Sequence, residues 1–285
     1  MSDRAANIGS SRVLVETDRF LGIDDVLLAS RNSSVKSQAA PEVKSVALAV
    51  AVTATPYAPI PSSSIPVETR RVTVKSSPVP IVLPVGNSAD ERLAALARLH
   101  QTQCPLCTSS ASNVCIFGSG SASADVLFVG EVPTEAEELA VKPLAGKSGE
   151  KLDEMIRAMK LQPAQIYIAN ILKCRLAGLR APSAEEIAEC APYLRAQIEI
   201  IRPKVIVALG GPAAKYLLDT ELGITRLRGT WGACEVGGVS IPVMPTFHPA
   251  YLLRNYTDEI RGAVWNDLKQ VIERLRESTS SSITS

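Results

Sequence analysis

From about Ser88 onward, apolar positions follow two alternating rhythms. Asp90–His100 carries Ala and Leu at helical spacing, which predicts a helix. Val126–Gly130 (VLFVG), Ile166–Leu172 (IYIANIL), Val205–Leu209 (VIVAL) and Ile241–Thr246 are apolar runs of strand length. Between and after them the period changes to that of helices. Glu150–Met159 is amphipathic, and Ser183 with Glu186 forms a capping-box signal that opens a helix to about Ile201. Gly210–Gly211 leads into a helix to Leu218, and Ile260–Arg276 closes the pattern. Continuous apolar strands separated by helices predict a sheet buried on both faces. The expected class is α/β: a three-layer α/β/α fold around a central four-stranded parallel sheet. Such sheets bind ligands beyond the carboxyl ends of their strands. The residues just after VLFVG, IYIAN, VIVALG and VMPTF are therefore the ones to inspect.

The first 88 residues read differently. Residues 32–88 are rich in Ser, Pro and Val and show no helical period. Ser45–Val67 carries no charge and contains Pro56, Pro59, Pro61 and Pro66, the composition of an extended linker. Residues 1–88 are expected to be a mostly disordered arm. A short amphipathic helix at 10–31 (Val13, Leu14, Phe20, Leu21, Ile23, Val26, Leu27) could contact a protein partner. Residues 89–276 form the expected globular domain, and 277–285 an expected disordered tail. No apolar run reaches the ~18–20 residues that span a bilayer. The start MSDRAANIGSSR lacks an apolar signal region. The expectation is a cytoplasmic monomer with no membrane attachment.

Lys plus Arg number 30 and Asp plus Glu 29, which excludes a globally basic nucleic-acid binder but not a local basic groove. Aromatics make up 4% of the chain, so any stacking site relies on a few particular rings. In a reducing compartment the six cysteines are better metal ligands or reactive thiols than disulfides. Cys104 and Cys107 form a C-x2-C pair. Cys174 follows the second strand, and Cys190 lies 16 positions later in the next helix. Four thiolates suit zinc or an iron–sulfur cluster. One close pair plus two single cysteines departs from a zinc ribbon, which repeats the close pair. Cys115 reads as a loop or core thiol, Cys234 as a strand residue, and His100 as a cap on the first helix.

Several polar residues fall at the predicted strand ends. Glu131 follows the first strand within Gly130-Glu131-Val132-Pro133-Thr134. Asn170 ends the second; its carboxamide offers an acceptor and two donors, enough to read a pyrimidine edge. His248 follows the fourth, held by Pro249.

From about residue 90 to 275 the chain resembles the family 4 uracil-DNA glycosylases, the iron–sulfur class. The likeness rests on the cysteine set, GEVP, KPLAGKSG, YIANILKCR, PSAEEIAECAPYLRAQIEIIRPKVIVALG, LRGTWG and PTFHPAYLLRN, in that order. The resemblance implies excision of uracil from DNA, with uracil-containing DNA as partner and a [4Fe–4S] cluster on Cys104, Cys107, Cys174 and Cys190. It further implies that Asn170 reads the uracil edge and that His248 hydrogen-bonds uracil O2 as negative charge develops there. Gly130, Glu131 and Pro133 match the first active-site motif, with Glu131 the candidate to position water. Leu252, Leu253 and Arg254 match the loop that enters the duplex, while Lys147, Arg228 and Arg254 are candidate phosphate contacts.

Three positions depart from the family pattern. The second glycine of GEAPG is Thr134. In G-x-P-F-V-G the first glycine is Val141, and the phenylalanine that stacks on uracil is Leu144. Loss of a stacking ring costs ~1–3 kcal/mol per base. The expectation is an active glycosylase. The alternative is a glycosylase-fold DNA-binding protein with altered base preference or no activity.

Overall fold

The computed structural model describes residues 81–109, 114–177 and 180–281. Of the arm expected over residues 1–88, residues 1–80 with the helix at 10–31 lie outside the described residues, as do residues 282–285 of the tail expected over 277–285.

Helix α1, Ala89–Gln103, starts where Ser88 accepts from the Glu91 amide, and a short helix α2 covers Pro105–Ser109. Strand β1 is only Ser119–Gly120, and β2 is the fully buried VLFVG run, Val126–Gly130. Helices α3 (Glu135–Ala140) and α4 (Lys147–Ala158) follow, then a 3-10 turn, Pro163–Gln165, and strand β3, Ile166–Asn170. Helix α5, Ala184–Ile201, opens with the Ser183–Glu186 capping box that the sequence predicts. Strand β4, Val205–Leu209, leads into α6 (Gly211–Leu218) and α7 (Ile224–Leu227). Strands β5 (Gly232–Val236) and β6 (Val239–Thr246) precede α8 (Pro249–Arg254) and the long α9 (Asp258–Ser281).

The sheet has six strands in the order β1-β3-β2-β4-β6-β5, two more than expected. The four central strands are the predicted ones and run parallel; β1 and β5 add antiparallel edges. These two escape the sequence pattern for different reasons. β1 is two residues long, and β5 alternates in burial, as a strand at the margin of a core does.

Successive β2 residues point to opposite faces. Leu127 and Val129 join a core with α1, α5 and α6, while Val126 and Phe128 join a second core with α4, α8 and α9. Register then sets the site. Gly130 pairs with Asn170, and Leu209 with Thr246, so the carboxyl ends of the parallel strands lie level. The chain moves from β2 to one side into β3 and then crosses to β4 on the other side. The crevice of an open α/β sheet forms at such a reversal. No helix of the described residues is long and apolar enough to cross a membrane.

Candidate active site and metal centre

A cavity of ≈ 290 Å³ opens at this reversal, lined by Glu131, Leu144, Asn170, Phe247, His248 and Arg254 among others. That lies at the lower end of the ~300–1,000 Å³ range of small-molecule sites and suits one base-sized ring.

Asn170 is buried, and its Nδ2 donates to Glu137 Oε1 at 2.8 Å. Its Oδ1 lies against Gly130: a Cβ added there would sit 2.3 Å from that oxygen. Glycine at 130 is therefore what lets the carboxamide lie beside β2. One acceptor and one remaining N–H of Asn170 are left for a ligand.

Glu137 is a cavity-lining residue that motif reading misses. Its buried carboxylate accepts from Leu144 N (2.6 Å) as well as from Asn170, and its Oε2 accepts from Thr134 N and Thr134 Oγ1, both at 2.8 Å. The visible signal is the T-x-x-E capping box Thr134–Glu137, which opens α3. Thr134, a departure from the family glycine, is thus built into the cap. One carboxylate ties together the helix start, the Leu144 backbone and the uracil-edge candidate Asn170.

His248 caps α8 through Nδ1, which accepts from Ala250 N at 3.1 Å. A backbone N–H can only donate, so the neutral ring carries its proton on Nε2. Burial, with the Arg254 charge adding to it, pushes the imidazole down to about 4, so it is neutral at physiological pH. Burial raises Glu131 to about 7 against the opposing pull of Arg254. Gly210, at φ +94°, lets both groups approach: a Cβ there would lie 2.2 Å from Glu131 Oε1 and 3.2 Å from His248 Cβ.

Leu144 lines the cavity, and both it and Val141 adopt left-handed backbone, φ 50° and 49°. The family glycine at 141 suits that conformation; a β-branched residue there is strained. Pro133 is buried beneath the crevice and, like Gly130, does not line the cavity itself.

The expected DNA contacts divide. Lys147, Leu253 and Arg254 are exposed. Leu252 is 4% exposed and packs in the core with Trp265 and Leu268, whereas Leu253 is 41% exposed. The segment is a helix, so adjacent residues point to different faces, and of the two leucines expected to enter the duplex only Leu253 is exposed. Arg228, the other expected cation, is engaged within the protein. Its guanidinium donates to Asp267 (2.6 and 3.2 Å) and to the Ala263 carbonyl (2.5 Å). Buried Asp267 also accepts from Thr246 Oγ1 at 2.7 Å. The LRGTWG motif therefore serves to lock α9 to the end of β6.

Behind Asn170, on the α1/α5 face, the cysteines converge. Cys104, Cys107, Cys115, Cys174 and Cys190 are all buried. Ligand atoms of His100, Cys107 and Cys174 lie within 4.8 Å of one another, as do those of His100, Cys104 and Cys190. The two groups share His100, so the four cysteines expected as ligands gather about its ring as two pairs. His100 and Cys115 read differently in the structure. His100 is buried among the thiols, with Nδ1 3.1 Å from Cys115 Sγ and Nε2 3.4 Å from Cys190 Sγ. It does not cap α1 through its side chain. Cys115 is a fifth thiol against the cage, brought there by the Ile116 N–H bond to the Lys173 carbonyl.

Lys173 tests what the cage can hold. It is completely buried; its Nζ donates to the Asn170 carbonyl (2.7 Å) and Gln197 Oε1 (2.5 Å) and lies 5.5 Å from the Phe117 ring centre. No carboxylate pairs with it among the described residues. Burial lowers it to about 8, opposed by Cys190, Cys115 and Cys174. A buried ammonium needs a compensating charge. Four metal-bound thiolates carry that charge, so the donor set fits a tetrathiolate metal centre.

A model of the uracil DNA glycosylase superfamily matches residues 117–269. A type-4 uracil-DNA glycosylase of Thermotoga maritima is 41% identical over 173 residues, covering 59% of this chain and 86% of the relative. Those of Archaeoglobus fulgidus and Sulfurisphaera tokodaii are each 38% identical; the matches cover 55% of this chain in both cases and 79% and 72% of the relatives. The chain belongs to the uracil-DNA glycosylase superfamily, and within it to the type-4 family.

Proposed function

We propose that the protein hydrolyses the N-glycosidic bond of uracil in DNA, leaving an abasic site for base excision repair. The observation that carries this reading is the convergence of Asn170, His248 and Glu131 in one base-sized cavity. A base must leave the stack to reach it, at a cost of a few kcal/mol. Asn170, with one N–H held by Glu137, presents an acceptor and a donor to the N3–H and O4 edge of uracil. His248 donates from Nε2 to O2 as the base departs with its bonding electrons. A pre-set donor of this kind is worth ~3 kcal/mol of barrier. It stays neutral throughout, which its burial and Arg254 favour. Glu131 orients the water that attacks the sugar. Lys147 and Arg254 meet phosphates, and exposed Leu253 fills the space left in the duplex.

Cys104, Cys107, Cys174 and Cys190 would hold a [4Fe–4S] cluster. When bound, it would supply a covalent clamp joining the corner between α1 and α2, the segment after β3, and α5. A second reading, altered base preference, is favoured by Leu144, which offers no aromatic face to the ring. An abasic-site assay on uracil, hypoxanthine and xanthine duplexes separates the two. Cleavage confined to uracil supports the first, and cleavage of a purine analogue in preference to uracil supports the second.

A further inference from the structure

We infer that Lys173 is the link between the cluster and the uracil reader: one buried side chain is both the counter-charge of the cysteine cage and the tether of the Asn170 backbone. The inference rests on the cage holding the proposed cluster and deepens that reading by naming a positioning residue. Three contacts carry it. The Lys173 backbone N–H donates to Cys190 Sγ at 3.2 Å. Its Nζ holds the Asn170 carbonyl, the last group of β3. The next residue in the chain, Cys174, is itself in the cage.

The physical logic is electrostatic. Lys173 is completely buried, the partners of its Nζ are neutral oxygens and a ring, and its backbone N–H and the following residue stand against the cage. A cation so placed offsets the negative charge that a thiolate-held cluster would bring into the core. Because the same ammonium bonds the Asn170 carbonyl, the filled cage also fixes the height of the uracil reader. Glu137 holds the Asn170 side chain from the opposite direction. Beyond its pairing with Gly130 in the sheet, the reader is thus held at two points, and only one of them answers to the metal centre. Lys173 acts through Asn170 and touches no substrate.

Two variants test this. Lys173→Met removes the charge at similar length. Gln197→Glu keeps Lys173 but sets a carboxylate against its Nζ. Each lowers the charge beside the cage by one. Both are expected to move the cluster's midpoint potential to more negative values, since net charge sets that potential. Iron release to a chelator should become roughly tenfold faster, the factor that a charge-assisted hydrogen bond accounts for at its lower limit. Single-turnover excision should fall while DNA affinity holds. A merely structural lysine would lower melting temperature and leave the potential in place. Wild-type protein without iron overturns the cluster and this link together. Wild-type protein with four irons, and either folded variant with unchanged potential and release, overturns the link alone.

Discussion

Glu137→Gln isolates the residue that the structure adds to the site. The substitution keeps shape and removes charge, and the hydrogen-bond geometry fixes what it must lose. Oε1 faces two donors, Leu144 N and Asn170 Nδ2. Oε2 faces the Thr134 amide and a hydroxyl. A glutamine has one oxygen and one NH2. With the NH2 toward Thr134, the hydroxyl can rotate to accept, but the Thr134 amide meets another donor. With the NH2 toward Asn170, two donors are opposed. The first arrangement is cheaper: one orphaned buried amide, ~1–3 kcal/mol, and weaker neutral bonds in place of charge-assisted ones. The α3 cap and Leu144 then loosen, and Asn170 loses part of its anchor. The expected outcome is a drop in melting temperature together with a roughly 10- to 100-fold slower single-turnover excision of uracil, about 1.4–2.8 kcal/mol in barrier. Wild-type rate in a folded Glu137→Gln protein would refute the claim that this carboxylate positions Asn170.

Other outcomes follow from single features. With Glu131 raised to about 7 and His248 lowered to about 4, the rate should climb as pH passes 7, because Glu131 loses its proton there while His248 stays neutral. In a Glu131→Gln protein that rise should vanish, and a persisting rise near pH 7 would show that another group titrates. Val141→Gly removes β-branched strain at φ 49°, worth ~1–2 kcal/mol, against ~0.4–1 kcal/mol of added unfolded-state freedom, so a melting temperature a few degrees higher is expected. Cys107→Ala should yield colourless, iron-poor protein. Cys115→Ser should keep its iron, because Cys115 lies outside the two groups that converge with the metal-binding geometry.

Much of the site was legible because it sits where parallel strands end. Glu131, Asn170 and His248 follow apolar runs that no other element could absorb, and register brings them level. What the sequence hid has physical causes. A short edge strand such as β1 leaves no period to detect. His100 reads as a polar residue at a helix end, yet helical rotation carries its ring inward between thiols from four separate segments. Leu252 and Leu253 are alike as letters, and only the helical turn of α8 decides which one faces solvent. Arg228 reads as a free cation because its partner Asp267 is 39 residues away. Glu137 stands among other acidic residues of α3, and only its burial separates it from them.

The central claim is that Asn170 and His248 excise uracil in a pocket where Leu144 replaces a stacking ring. Single-turnover cleavage of a uracil-containing oligonucleotide, at enzyme excess, tests it most directly. The account predicts abasic product from the wild type, a loss of about a hundredfold or more in His248→Ala, and a rate equal to or above wild type in Leu144→Phe. No product from the wild type or from Leu144→Phe, or wild-type speed in His248→Ala, would contradict it.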